Sequence, residues 1–199
     1  MPRSKEQFEQ MREEAKEKIA RGAAGYFARH GYAGAKISEL AKELGIAQGA
    51  LYRYFPSKEA LFEEVTRAVS AANAGALGQI ASLPLPAKEK IRRLSRGVLW
   101  GVLNDRELAE GFALNLRMEM EGGRHNGYSE EYAKAPSEFL EGLIREGQRE
   151  ESVHEGDPRV MADFYWTSVH MMALNRLMGG IVDFEEQVRL LDRILLKEE

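Results

Sequence analysis

The sequence predicts an all-α protein, on three observations. Its 199 residues contain 24 Ala and 21 Leu, against 19 Val, Ile and Thr together. Helices favour Ala, Leu and long charged side chains, whereas strands draw on β-branched residues. Apolar residues recur at three- and four-residue steps along most of the chain. The segments they mark are bounded by Gly, Pro, Ser and Asp, the residues that start and stop helices.

The first helix runs from Ser4 to His30, with Phe8, Met11, Ala15, Ile19, Tyr26 and Phe27 on its apolar stripe and Gly31 as its stop. Two short helical patterns follow, Ile37–Leu44 ending at Gly45 and Gln48–Phe55 ending before Pro56. Two short helices joined through a glycine turn form a helix-turn-helix pattern. Ser57 is placed to cap a fourth helix, which carries Leu61, Phe62, Val65 and Val69 and runs to about Ile80, where Ser82-Leu83-Pro84-Leu85-Pro86 breaks it. That helix leads out of the small module, so no flexible linker is expected. Further helices are expected at 87–104, 106–121, 130–150, 158–179 and 184–197, with a loop at Gly122–Gly127. Asp157 before Pro158, and Asp183 three residues before Glu186, read as capped helix starts.

Charge is divided unevenly. Residues 1–58 carry 11 Lys/Arg and 7 Asp/Glu, a net +4, and the remainder carries −8. A basic module on an acidic body is the footprint of polyanion binding. The N-terminus lacks the apolar stretch of a signal peptide, and no run approaches the roughly 18 apolar residues that span a bilayer. With no cysteine, disulfides and thiolate chemistry are excluded. A cytoplasmic protein is expected.

Enzyme signatures are missing from the sequence. There is no phosphate loop, dinucleotide fingerprint or nucleophile elbow. His30, His125, His154 and His170 never fall three or four apart, so no two imidazoles share a helix face. Pairs such as Glu13/Glu14 lie in charge-rich helical surfaces. No catalytic residue, cofactor or metal is expected.

The second helix of the helix-turn-helix pattern offers recognition chemistry instead. Leu51 and Phe55 are four apart and face inward, while Gln48 and Tyr52 are four apart on another face. Gln pairs bidentately with adenine, and Tyr52 offers a ring for a thymine methyl or a hydroxyl for phosphate. Gly49 and Ala50 remove bulk, and Arg53 and Tyr54 reach towards flanking phosphates. Lys58 opens the next helix, where a cation opposes the dipole unless a phosphate lies nearby.

The segment "ISELAKELGIAQGALYRYFPSKEALFEEV" (Ile37–Val65), with "RGAAGYFARHGYAG" (Arg21–Gly34) before it, resembles the DNA-binding domain of the TetR (tetracycline-repressor-like) transcriptional regulators. The resemblance implies a DNA-binding domain over residues 1–60 (core 15–60) and an effector-binding and dimerisation domain over 61–199. It implies a homodimer that sets two recognition helices in successive major grooves of a palindromic operator, most often as a repressor released by a small, largely apolar effector. The same fold acting without an effector or as an activator, and a helical enzyme without a recognisable motif, are the alternatives. By position, Gln48, Gly49 and Tyr52 would face bases. Lys36, Ala50, Tyr54 and Lys58 would follow the phosphates, with Arg53 at the groove edge and Ser38 completing the set. This chain departs from the family pattern at Ala47, Ala50 and Lys36, where Ser or Thr is common. Heavier dependence on Lys36, Arg53 and Lys58 is therefore expected, and with it a steep salt dependence.

The remaining helices are less specific. Trp100, Phe112, Leu116, Met120, Phe139, Tyr165, Trp166, His170 and Met171 are candidates to line an effector cavity, or else ordinary core. Gly97 and Gly101 flank Trp100, consistent with close helix contact or with room for a ligand. The last two helices carry more apolar surface than one core-facing stripe needs. Met161, Val169, Met172, Phe184, Val188, Leu191 and Leu195 are the candidate dimer residues, the alternative being a helix central to a monomer.

Overall fold

The computed structural model describes residues 5–120, 130–181 and 183–198, which form nine helices and no strand. They are α1 (Lys5–Gly34), α2 (Ile37–Glu43), α3 (Gln48–Tyr54), α4 (Lys58–Ala81), α5 (Ala87–Asn104), α6 (Arg106–Met120), α7 (Glu130–Arg149), α8 (Pro158–Leu177) and α9 (Phe184–Leu195). The loop expected at Gly122–Gly127, with His125, lies outside the described residues. None of the described helices is long and apolar enough to cross a membrane.

The boundaries follow from local chemistry. Regular helix in α1 stops at Gly31, whose φ of 68° and ψ of 168° break the ladder. Gly45 has φ 68° in the turn between α2 and α3, a conformation that costs a residue with a Cβ. Ser57 Oγ accepts the Ala60 N–H at 3.1 Å and starts α4. Asp157 accepts from the N–H groups of Arg159 and Val160, and Asp183 from that of Glu186, so both anticipated caps are made.

Two apolar cores result. The first lies among α1, α2, α3 and the start of α4, where Phe27 and Phe62 meet edge-on at 4.9 Å above Leu40, Leu51 and Leu61. Leu114 and Met118 of α6 belong to this core too, so it is not closed by the N-terminal helices alone. The second core gathers α5 to α9 around Leu99, Leu140, Ile144, Tyr165 and Leu191.

At Ala47 the helix α3 lacks a side-chain cap, although φ −68° and ψ 139° are the extended geometry a capping residue adopts. Ala47→Ser is therefore expected to stabilise the protein by about 1 kcal/mol, read as a raised denaturant midpoint. An unchanged midpoint would show the helix start to be satisfied already.

The candidate dimer residues lie mostly inside. Val169, Leu191 and Leu195 are fully buried and Val188 nearly so, within a single chain, because α8 and α9 close over α5, α6 and α7. Met161, Met172 and Phe184 pack half-buried against the same core. What α8 leaves outside is a different stripe, Val160, Phe164 and Met171, continued by Met178, and α9 leaves Leu190 exposed.

Candidate nucleic-acid interface and ligand cavity

The α2–α3 corner is held from beneath by Tyr26 of α1. Its hydroxyl, on a ring only 2% exposed, accepts the Lys36 N–H at 3.2 Å and donates towards the Lys36 carbonyl at 3.3 Å. Leu51 and Phe55 seat α3 on the core. Gln48, Gly49, Tyr52 and Arg53 are then exposed, with Ser38 and Lys36 exposed on α2 and its entry. Gln48, Tyr52 and Arg53 have no partner among the described residues, and a Cβ built on Gly49 meets nothing within 4 Å. This surface is open for close approach. Ala50 and Tyr54 are half-buried, and Tyr54 packs against the module's own core.

Two of the three cations are engaged. Lys36 Nζ pairs with Glu39 at 3.0 Å, a contact that raises the lysine pKa and lowers that of the carboxylate. Fully exposed, such a pair is easily exchanged for a phosphate. Lys58, expected to await a phosphate, already has internal partners. Its ammonium donates to the Ala35 carbonyl at 2.8 Å and lies 4.6 Å from the Tyr32 ring centre, tying α4 to the end of α1. Tyr32 in turn donates to Glu59, and burial together with that bond pushes its pKa up to about 12.

A cavity of about 350 Å³ opens among α4, α5, α6, α7 and α8, towards the lower end of the volumes typical of small-molecule sites. Of the nine residues proposed for it, Phe112, Trp166 and His170 line it. Trp166 is oriented by its indole N–H, which donates to the Pro136 carbonyl at 3.0 Å, and Phe112 stacks on it at 6.2 Å. The other candidates are elsewhere. Trp100 is 61% exposed with its ring edge-on to Phe184, Met120 is exposed, and Met171 belongs to the outward stripe of α8. Tyr165 is buried in the core with its hydroxyl on Ser95 at 3.3 Å, Phe139 packs against that core, and Leu116 lies outside the lining.

The sequence reading missed Asn73, Leu77 and Ile80 of α4, Arg93 and Val98 of α5, and Leu108 and Asn115 of α6. Asn73 and Gln79, set in the otherwise small and apolar run "AANAGALGQI", were the available signal. The two glycines beside Trp100 divide their roles. A Cβ at Gly101 would sit 2.2 Å from Leu108 Cδ2, whereas one at Gly97 meets nothing within 4 Å. Gly101 lets helices approach, and Gly97 leaves room.

His170 is 6% exposed, its Nδ1 has no hydrogen-bond partner among the described residues, and burial lowers its pKa from 6.5 to about 4. Because the folded pKa lies below the unfolded one, the neutral ring favours folding above about 6.5. That contribution is lost as pH falls towards about 4, at up to about 1.4 kcal/mol per pH unit. Urea midpoints measured across this window are expected to fall less steeply in His170→Gln than in the parent. Equal slopes would show that the imidazole is solvated.

The helix α6 faces both regions. Leu108, Phe112 and Asn115 line the cavity, while Glu110, 8% exposed, accepts from Arg106 Nε at 2.9 Å and from Arg29 Nη1 at 3.4 Å. Arg29, on α1, also pairs with Glu43 at the end of α2. A Cβ at Gly25 would overlap the Glu110 carboxylate, so this contact requires glycine. One polar chain therefore runs from the cavity-lining helix to the helix-turn-helix.

Residues 19–65 match the family described as bacterial regulatory proteins, tetR family. The uncharacterized helix-turn-helix-type transcriptional regulator YdgC of Bacillus subtilis (strain 168) is 40% identical over 52 residues, 26% of this chain and 27% of YdgC. The transcriptional repressor AcnR of Corynebacterium jeikeium (strain K411) is 36% identical over 76 residues, 35% of this chain and 40% of AcnR. The chain thus matches well under half the length of these relatives. The solved structure of AibR in complex with isovaleryl coenzyme A and operator DNA is 18% identical, with a TM-score of 0.74 over 89% of this chain and 96% of that one, a likeness of fold. Residues 19–65 thus carry the match to the DNA-binding domain of tetR-family regulators, and the described residues share the all-helical fold of the AibR structure.

Proposed function

We propose that the chain is a homodimeric repressor that leaves a palindromic operator when a small molecule fills the cavity among α4 to α8. The observation that carries this is α3, whose Gln48, Tyr52 and Arg53 stand exposed and unpartnered among the described residues on a helix otherwise seated by buried Leu51 and Phe55. Exposed side chains of these types on the second helix of a helix-turn-helix suit the major groove. AibR, of similar fold, provides a precedent for one chain binding both an acyl-coenzyme A and operator DNA.

The effector acts by differential affinity: it favours a conformation whose recognition helices no longer match the half-sites. The route runs through α6, which carries Phe112 on the cavity side and Glu110 on the Arg29 side, with α4 as the continuous second connection. The presence of the cavity favours this reading over an effector-free regulator. The dimer face is the outward stripe of α8, Val160, Phe164 and Met171, apolar side chains on one helix face that a single chain leaves in water.

A photo-cross-linking amino acid tests both surfaces. Placed at Tyr52 it is expected to capture duplex DNA at physiological salt, and placed at Phe164 a second copy of the chain. If position 52 captured no DNA while position 164 still dimerised, the DNA-binding assignment would fall on its own.

A further inference from the structure

We propose that the effector is an amphipathic anion, an apolar tail with an acidic head that pairs with Arg93. This rests on the effector reading of the cavity given above. Among the described residues the lining contains no Asp or Glu, and Arg93 is its one formally charged member. His170, the other basic group there, is held neutral at pH 7 by its burial.

Arg93 also stands apart from its neighbours on α5. Arg92 pairs with Glu89 at 2.9 Å and Arg96 with Glu185 at 2.9 Å, whereas Arg93 has no ion pair or hydrogen bond among the described residues. Three arginines within five positions, two neutralised by carboxylates and one exposed at the cavity without a protein partner among the described residues, place an available cation where a ligand head would lie. Gln79 enters the same lining from α4, and both residues lie within two helical turns of the Ser82–Pro86 connection. Phe112 and Trp166 enter from α6 and α8 and supply apolar surface for the tail. A cationic effector would meet Arg93 with no compensating acid. A neutral apolar one would gain nothing from that charge, which would stay in water.

A chain-matched set of ligands tests the charge of the head: decanoate, decyl phosphate, decanol and decylamine, each below its aggregation threshold. Trp100→Phe leaves Trp166, in the cavity lining, as the one tryptophan of the chain, so its fluorescence reports occupancy without DNA. Decanoate or decyl phosphate is expected to bind about tenfold or more tightly than decanol. Arg93→Gln should erase that preference, and Arg93→Lys should keep much of it. Whichever anion binds better identifies a carboxylate or a phosphate head. The inference is overturned if decanol or decylamine binds as well as the anions, if none of the four binds, or if Arg93→Gln leaves the preference intact. Because these titrations contain no operator, failure of DNA binding is a separate result that bears only on the regulator reading.

Discussion

An Arg53→Ala chain is expected to bind its operator about a hundredfold more weakly than the parent, with a shallower dependence on salt. Arg53 is the one cation on α3 and is exposed without a partner among the described residues. It therefore reaches DNA without first giving up an internal contact. Lys36 must leave Glu39, and Lys58 must leave the Ala35 carbonyl, so part of what each gains from a phosphate is spent on that exchange. A dimer places two copies of Arg53 on the operator. Losing both phosphate contacts should reduce the slope of log affinity against log salt by about two. Lys36→Ala should have a clearly smaller effect. Fluorescence anisotropy at several salt concentrations measures affinity and slope together. Equal losses for Arg53 and Lys36 would mean that the pairing seen in the free protein does not weigh on binding.

Gly97→Phe is expected to abolish the response to effector while leaving operator binding and stability intact. The position lies in the cavity lining, and a Cβ there meets nothing within 4 Å, so the added ring enters open space and not another helix. Replacing a helical glycine also relieves a small intrinsic cost, which holds the stability within about 1 kcal/mol of the parent. Gly101→Ala provides the contrast. Its Cβ would press on Leu108, so that variant should lose stability, by about 1–3 kcal/mol if Leu108 cannot yield. Calorimetry and effector titrations separate the two outcomes. If Gly97→Phe responded normally to effector, the ligand would have to bind elsewhere.

How far the sequence could be read depended on whether a feature was local. Helix ends were legible because Gly31, Gly45, Ser57, Asp157 and Asp183 act on their own backbone within a few residues. The outward face of α3 was legible for the same reason: Leu51 and Phe55 had to be inside, which turned Gln48 and Tyr52 outward. Partners distant in sequence were not legible. Lys58 was expected to await a phosphate, and its carbonyl partners lie more than 20 residues away. Val169 and Leu191 are apolar for a core formed by their own chain, whereas Phe164 and Met171 are apolar on the outside, and periodicity treats both alike. The cavity required five helices to meet, and Asn73 and Gln79 gave only faint notice of it.

Selection of bound sequences from random duplex DNA with the full chain, without effector, tests the central claim most directly. Enrichment of a palindrome whose half-sites lie about one helical turn apart is expected, with Tyr52→Ala and Arg53→Ala failing to enrich it. Recovery of no palindrome by the parent chain at physiological salt would contradict the assignment of α3 as a sequence-reading helix.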